Sequence, residues 1–414
     1  MDPDPQSPTL RKIRPGDHRA VLQFWARQSE TGTPLVEPLP GVPGRCLVTF
    51  LWRSAHPCRI EVVSPFKMDS TAPEYLVRLP HTDIWYRSYE SRSDIRTEYF
   101  FTRQARPEPG APAKRWVDFS RTLGPDPLNR WPFRYAVDPE VPEDIPQAGS
   151  VVSLPEAPQY TGRSPLLAVD LSRVELHRYP SRALGNERRL WLYRSPARKR
   201  PSSQPPNLLL VFDGLAYQTL IPLPALLDDL QRRGQVGPTY AVFIDSVSAE
   251  QRVRELACNP AFARFTAGEV LPWAERQFGV RFPASRTTTL GSSLGGLAAA
   301  YVAWRCPDRV GRVLSQSGVF AWTPEGEEPG WLVRQFVKSA RGKTRFYLEA
   351  GLLETGRSDP SGTAPGILLS NRILRDVLRA KGYPLVHREF PGAHDYIWWG
   401  ETVTPALRSL NRLP

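Results

Sequence analysis

Hydrophobic and polar positions change their rhythm twice along the chain. Up to about residue 42 the sequence is polar and proline-rich, with one helical stretch predicted over residues 17–29. From residue 46 to about 102, short runs rich in aromatic and β-branched residues alternate with turn residues: 46–52, 59–63, 74–79, 83–89 and 96–102. Strands of that length and spacing predict a small all-β sandwich. Its aromatic residues, Phe50, Trp52, Trp85, Tyr86, Tyr99, Phe100 and Phe101, suit the inner faces of two sheets. Residues 107–165 carry little periodicity and many prolines, and read as a connecting segment.

The second change comes near residue 166, where strand and helix patterns begin to alternate. Residues 174–179 and 189–193 read as an antiparallel pair, and Asn207–Phe212 (NLLLVF) is apolar throughout, as a strand covered on both faces must be. Strands at 239–244, 287–290, 312–315, 345–349 and 385–390 are separated by helical stretches at 220–233, 259–278, 294–305 and 371–381. This alternation predicts a doubly wound, mostly parallel sheet. The expected organisation is an arm (1–42), a β-sandwich (43–140), a linker (141–165) and an α/β domain (166–414).

Composition narrows the setting. The chain has 414 residues, 41% of them hydrophobic and 23% charged, enough for two folded cores. No apolar stretch approaches the roughly 18 residues of a membrane span, and the first residues lack the apolar region of a secretory signal, so a cytoplasmic protein without membrane attachment is expected. Cys46, Cys58, Cys258 and Cys306 form no C-x-x-C pair and are expected as free thiols. The net charge of +12 attracts anions. The basic residues are scattered and match no nucleic-acid module, so an anionic small molecule is favoured over nucleic acid.

The sharpest chemical signal is Gly291-Ser292-Ser293-Leu294-Gly295 between a predicted strand and a predicted helix. In that context G-x-S-x-G is a nucleophile elbow, because the tight turn brings its flanking positions too close for side chains. Only Ser293 has glycine two residues away on both sides, so it is the predicted nucleophile, in an α/β-hydrolase fold preceded by the sandwich. Leu294 N–H at the helix start is one oxyanion donor. The second is Gly214 or Leu215 in the loop after the strand 207–212, with Asp213 shaping that loop.

Of six histidines, His394 alone follows the last predicted strand in a glycine-containing loop, C-terminal to the serine. It is the expected general base, and His177 and His387 lie inside strands. The orienting acid should follow the strand 345–349. Glu354 is the first choice and Asp359 the second, ahead of Glu349 and Asp395.

Several blocks resemble the enterochelin esterases, the family that hydrolyses catecholate trilactone siderophores. They are LLLVFDG (208–214), R-x-x-E-L-x-x-N (252–259), GSSLGGL (291–297), LSQSG (314–318), EAG with Glu354, and GAHD (392–395) with Trp398–Gly400. VTFLWR (48–53), residues 83–86 and DPLNR (126–130) are similar to the family's amino-terminal domain. The resemblance spans roughly residues 43–414, although Ser292 and Leu294 stand where the family usually has glutamine and phenylalanine. It implies a cytoplasmic serine esterase acting on an enterobactin-like ferric siderophore. Arg254, Trp398, Trp399 and Asp213 are its candidate substrate contacts. Iron belongs to the substrate, and no metal or cofactor belongs to the protein. A biosynthetic thioesterase, transacylase or depsipeptide hydrolase is the alternative use of the same machinery.

Overall fold

A computed structural model of the chain describes residues 6–67, 74–107, 111, 113–141, 144–159, 172, 174–195, 205–356 and 364–412. The chain divides into two compact units, Met1–Gln159 with Pro391–Asp395, and Tyr160–Phe390 with Tyr396–Pro414.

The first unit contains β1 (Leu35–Pro38), β2 (Arg45–Arg53), β3 (Glu61–Val63), β4 (Val77–Arg78), β5 (Ile84–Arg92), β6 (Arg96–Thr102), β7 (Pro132–Tyr135) and β8 (Gln147–Ser153). They form two four-stranded antiparallel sheets, ordered β1-β2-β5-β4 and β3-β6-β8-β7. Aromatic side chains of β2 and β6 meet between the sheets. Phe50 packs on Tyr99 with ring centroids 4.7 Å apart, and Trp52 meets Phe101 edge-on at 5.4 Å. Tyr99 is fully buried, and its hydroxyl donates to Asp126 at 2.8 Å. Asn129 donates to the carbonyls of Thr33 and Val151. The DPLNR block is therefore a hydrogen-bonded plug on the sandwich.

Two boundaries differ from the sequence expectation. The first residues are not a separate arm. The helix His18–Thr31, capped by Asp17, buries Phe24 and Trp25 against Leu51, Leu79, Ile84 and Tyr86, and β1 pairs with β2. Nor are residues 141–165 only a linker, because β8 lies within them and pairs with both β6 and β7. Its sequence, QAGSVVS, carries little apolar signal for a strand. Gly149 is needed there because a Cβ would collide with the carboxyl of Glu98.

The second unit is built on one eight-stranded sheet. Its strands are β9 (Val174–Ser181), β10 (Asn186–Tyr193), β11 (Asn207–Phe212), β12 (Thr239–Ile244), β13 (Thr287–Ser292), β14 (Arg312–Gln316), β15 (Arg345–Gly351) and β16 (Leu385–Phe390). The order is β16-β15-β14-β13-β11-β12-β10-β9. From β16 to β12 every pairing is parallel, and β10 and β9 close the sheet antiparallel. The apolar run of β11 serves both faces. Leu208, Leu210 and Phe212 join the core under the helix Leu294–Arg305, while Leu209 and Val211 join the core under Leu223–Arg232 and Tyr396–Arg412. Alternation of Cβ directions along a doubly covered strand produces that division.

Candidate active site

The carboxyl ends of the parallel strands carry the candidate chemistry, as the geometry of open α/β sheets leads one to expect. β13 ends at Ser292, and Ser293 follows with φ +58° and ψ −122° before the helix Leu294–Arg305 begins. A non-glycine residue at such angles is strained, and neighbouring packing must hold it. Ser293 N–H donates to Gln316 O at 3.0 Å, and Ser293 O accepts from Leu297 and Val319. The glycines are required. A Cβ on Gly291 would lie 2.5 Å from the carbonyl carbon of Gly295, and one on Gly296 would lie 2.5 Å from Ser315 Oγ. Ser293 is half-buried, whereas Ser292 is 1% exposed, which separates the two serines sharply.

The loop after β11 refines the second oxyanion donor. Gly214 N–H is already committed to Ile244 O at 2.8 Å, so it is not the donor. Gly214 is there for closeness, since a Cβ would sit 2.6 Å from Ile244 N. The N–H groups of Leu215 and Leu294 donate no hydrogen bond among the described residues. Leu294 is in the first turn of its helix, where N–H groups have no partner within the helix. Leu215 and Leu294 are thus the available pair, just beyond the carboxyl ends of the adjacent strands β11 and β13.

Asp213 shapes this loop rather than facing a substrate. It adopts φ +55°, and its carboxylate takes two hydrogen bonds from Arg252 at 2.7 Å and one from Ser246 at 2.6 Å. Two other residues of the R-x-x-E-L-x-x-N block are also architectural. Glu255 pairs with the buried Arg188, and Asn259 caps the helix Pro260–Arg264. Arg254 is exposed and makes no salt bridge among the described residues, leaving its guanidinium available. Sequence reasoning singled out Arg254 in this block and missed the role of Arg252. A bidentate pair is visible only once the loop and helix are folded together.

Glu354 lies just beyond β15 and is 7% exposed. Its Oε2 accepts from Ser317 Oγ at 2.8 Å and from Gly351 N–H at 2.5 Å. Ser317, at φ +51° after β14, also accepts from Trp399 Nε1 at 3.0 Å. This corrects the expectation for the two tryptophans. Trp399 is 3% exposed and anchors Ser317, while Trp398 is 7% exposed and stacks on Phe390 at 5.5 Å, so neither offers a face to a ligand ring. Ser317 was missed because nothing in LSQSG marks it apart from its neighbours. Asp359 lies outside the described residues.

Glu349 is fully buried on β15, held by Thr402 and Gln316, with Tyr347 donating at 3.1 Å. Burial is the largest influence on it and pushes its carboxyl up to about 7, with the nearby Glu354 adding to the rise. A group raised above its ordinary 4.5 binds its proton more tightly in the folded chain. Its stabilising contribution is complete below pH 4.5 and lost as pH rises through about 7. The lost amount is on the order of 3 kcal/mol. Glu349→Gln is expected to flatten the decline in stability between about pH 5 and 8. Urea unfolding across that range checks this, and parallel curves for both proteins would contradict it.

His394 is exposed, at the apex of a tight turn closed by Asp395 N–H donating to Ala393 O at 3.0 Å. The turn follows β16, whose last residue, Phe390, is the register partner of Gly351 on β15. His387 is no rival, since burial drives its imidazole down to about 4. His177 contacts Glu175 at 3.0 Å and Trp273 edge-on. Among the described residues no cluster of His, Cys, Asp or Glu is arranged to hold a metal ion. No helix among them is long and apolar enough to cross a membrane.

Residues 181–410 match the family of putative esterases, and residues 47–162 match the enterochelin esterase N-terminal domain. The iron(III) enterobactin esterase of Dickeya dadantii is 30% identical over 412 residues, covering 91% of this chain and 89% of its own. The chain belongs to the enterochelin esterase family. It is a carboxylic-ester hydrolase with that family's two-part architecture, a β domain followed by an α/β-hydrolase domain. The iron(III) salmochelin esterase of Escherichia coli is 26% identical, covering 94% of both chains. The crystal structure of the enterobactin esterase of Shigella flexneri, determined in the presence of enterobactin, superposes with a TM-score of 0.69 at 26% identity, covering 94% of this chain and 97% of that one.

Proposed function

We propose that this enterochelin esterase hydrolyses the ester bonds of an enterobactin-like ferric catecholate siderophore, releasing its hydroxybenzoyl-serine units and the iron they hold. The strained elbow at Ser293 supports the reading, in a chain whose first domain matches the enterochelin esterase N-terminal family, whose second matches the putative esterases, and which is 30% identical to an iron(III) enterobactin esterase. Ser293 Oγ attacks an ester carbonyl while His394 takes its proton. Glu354 orients the imidazole and offsets its charge, and the Leu294 and Leu215 N–H groups receive the developing oxyanion. The imidazolium then protonates the departing seryl oxygen, which leaves as the hydroxyl. Water, activated by the same imidazole, cleaves the acyl-serine.

The substrate side has an electrostatic rationale. A ferric tris-catecholate is a trianion, the chain carries +12, and Arg254 stands exposed on the helix that fixes the oxyanion loop. An arginine so placed suits a delocalised anion. Iron arrives and leaves with the siderophore, no resident metal or cofactor takes part, and the setting is the cytoplasm.

The test is incubation of the protein with ferric and iron-free enterobactin, followed by mass spectrometry. Linear and monomeric dihydroxybenzoyl-serine are expected. No turnover of either form, with Ser293 still labelled by a fluorophosphonate, would keep the hydrolase and discard this substrate in favour of a thioester or another acyl donor.

A further inference from the structure

The loop that carries His394 is clasped by β6 of the sandwich. Arg96 N–H donates to Pro391 O at 3.0 Å, and Thr97 Oγ1 donates to Asp395 Oδ2 at 2.9 Å. These bonds hold both ends of the five-residue turn Pro391–Asp395. Thr97 is 1% exposed and Asp395 5% exposed, so water competes for neither group, whereas His394 between them projects outward. The neighbouring strand position reinforces the clasp. Glu98 is held well above its ordinary carboxyl range, by burial first and then by the charge of Asp395.

The direction of a side chain at the apex of a turn follows from where the turn's backbone is held, and here the turn is buried or half-buried except at His394. General-base catalysis needs that direction fixed, and a displacement of about 1 Å costs roughly 100-fold in rate. We propose that Thr97 is a positioning residue for catalysis, acting through Asp395 to fix the turn that aims His394.

The inference rests on His394 being the base, and the experiment separates the two. Thr97→Val removes the donor and keeps the shape. Relative to wild type, kcat for ester hydrolysis is expected to fall roughly 10- to 100-fold with KM within about twofold, and the rate of fluorophosphonate labelling of Ser293 should fall in parallel. Thr97→Ser restores the hydroxyl and should recover most of both. A merely structural role would lower the amount of folded enzyme, leaving kcat per active site unchanged when sites are counted by labelling to completion. Wild-type kcat and labelling rate in folded Thr97→Val, with His394→Ala inactive, would overturn the clasp and keep the base. An active His394→Ala would overturn both.

Discussion

Ser293→Ala is expected to lower kcat by roughly 10⁴-fold or more while leaving substrate affinity nearly unchanged. In the proposed mechanism the hydroxyl forms the covalent bond, so its loss removes the two-step path altogether. What remains is attack by water on an ester still held beside the Leu294 and Leu215 N–H groups, and such residual catalysis is small but measurable. The fold should not notice the change. The elbow is held by backbone bonds, Ser293 N–H to Gln316 O and Leu297 N–H to Ser293 O, and alanine keeps both. Its melting temperature should stay within about 2 °C of wild type, because no buried group loses a partner. Steady-state kinetics on an activated ester, together with loss of fluorophosphonate labelling, checks the prediction. Activity surviving in the variant would move the nucleophile elsewhere. It could not move to Ser292, whose side chain is buried in β13.

The features of the fold that were legible in the sequence share a physical property: each is set by local constraint. The elbow needs glycines at fixed offsets from a strained residue, so Gly291, Ser293 and Gly295 announce themselves. β11 is apolar at every position because both its faces are covered. What stayed hidden depends on long-range partners. β8 resembles a linker because one of its residues must be glycine to clear Glu98, a residue about fifty positions away. Trp398 and Trp399 beside a candidate histidine suggest stacking surfaces, yet a helix following the turn sends both into the core. Gly214 and Leu215 could not be ranked as donors without the strand β12, whose Ile244 carbonyl takes one N–H and leaves the other. Arg252 and Arg254 differ by two positions on one helix, and only the fold decides that the first braces Asp213 while the second faces solvent.

Arg188→Met is expected to destabilise the fold by about 3–5 kcal/mol. Arg188 is 1% exposed on β10. One of its terminal nitrogens donates to both carboxylate oxygens of Glu255, at 2.7 and 2.8 Å, and the other donates to Asp245 O at 2.6 Å. Methionine fills much of the same space but leaves Glu255, itself 4% exposed, as a buried charge without its cation. A drop in melting temperature of roughly 10 °C follows for a domain of this size. Activity should suffer as well, because the helix Ala249–Leu256 carries both Glu255 and Arg252, and Arg252 braces the loop that presents Leu215 N–H. Replacing both members of the pair, Arg188→Met with Glu255→Leu, removes the stranded charge and should recover most of the stability, since a buried ion pair contributes little beyond an apolar pair of similar volume. Thermal unfolding of the two single variants and the double variant completes the cycle. If the double variant is as unstable as Arg188→Met alone, the loss comes from the Asp245 carbonyl and the packing of the arginine, and the stranded carboxylate is not its cause.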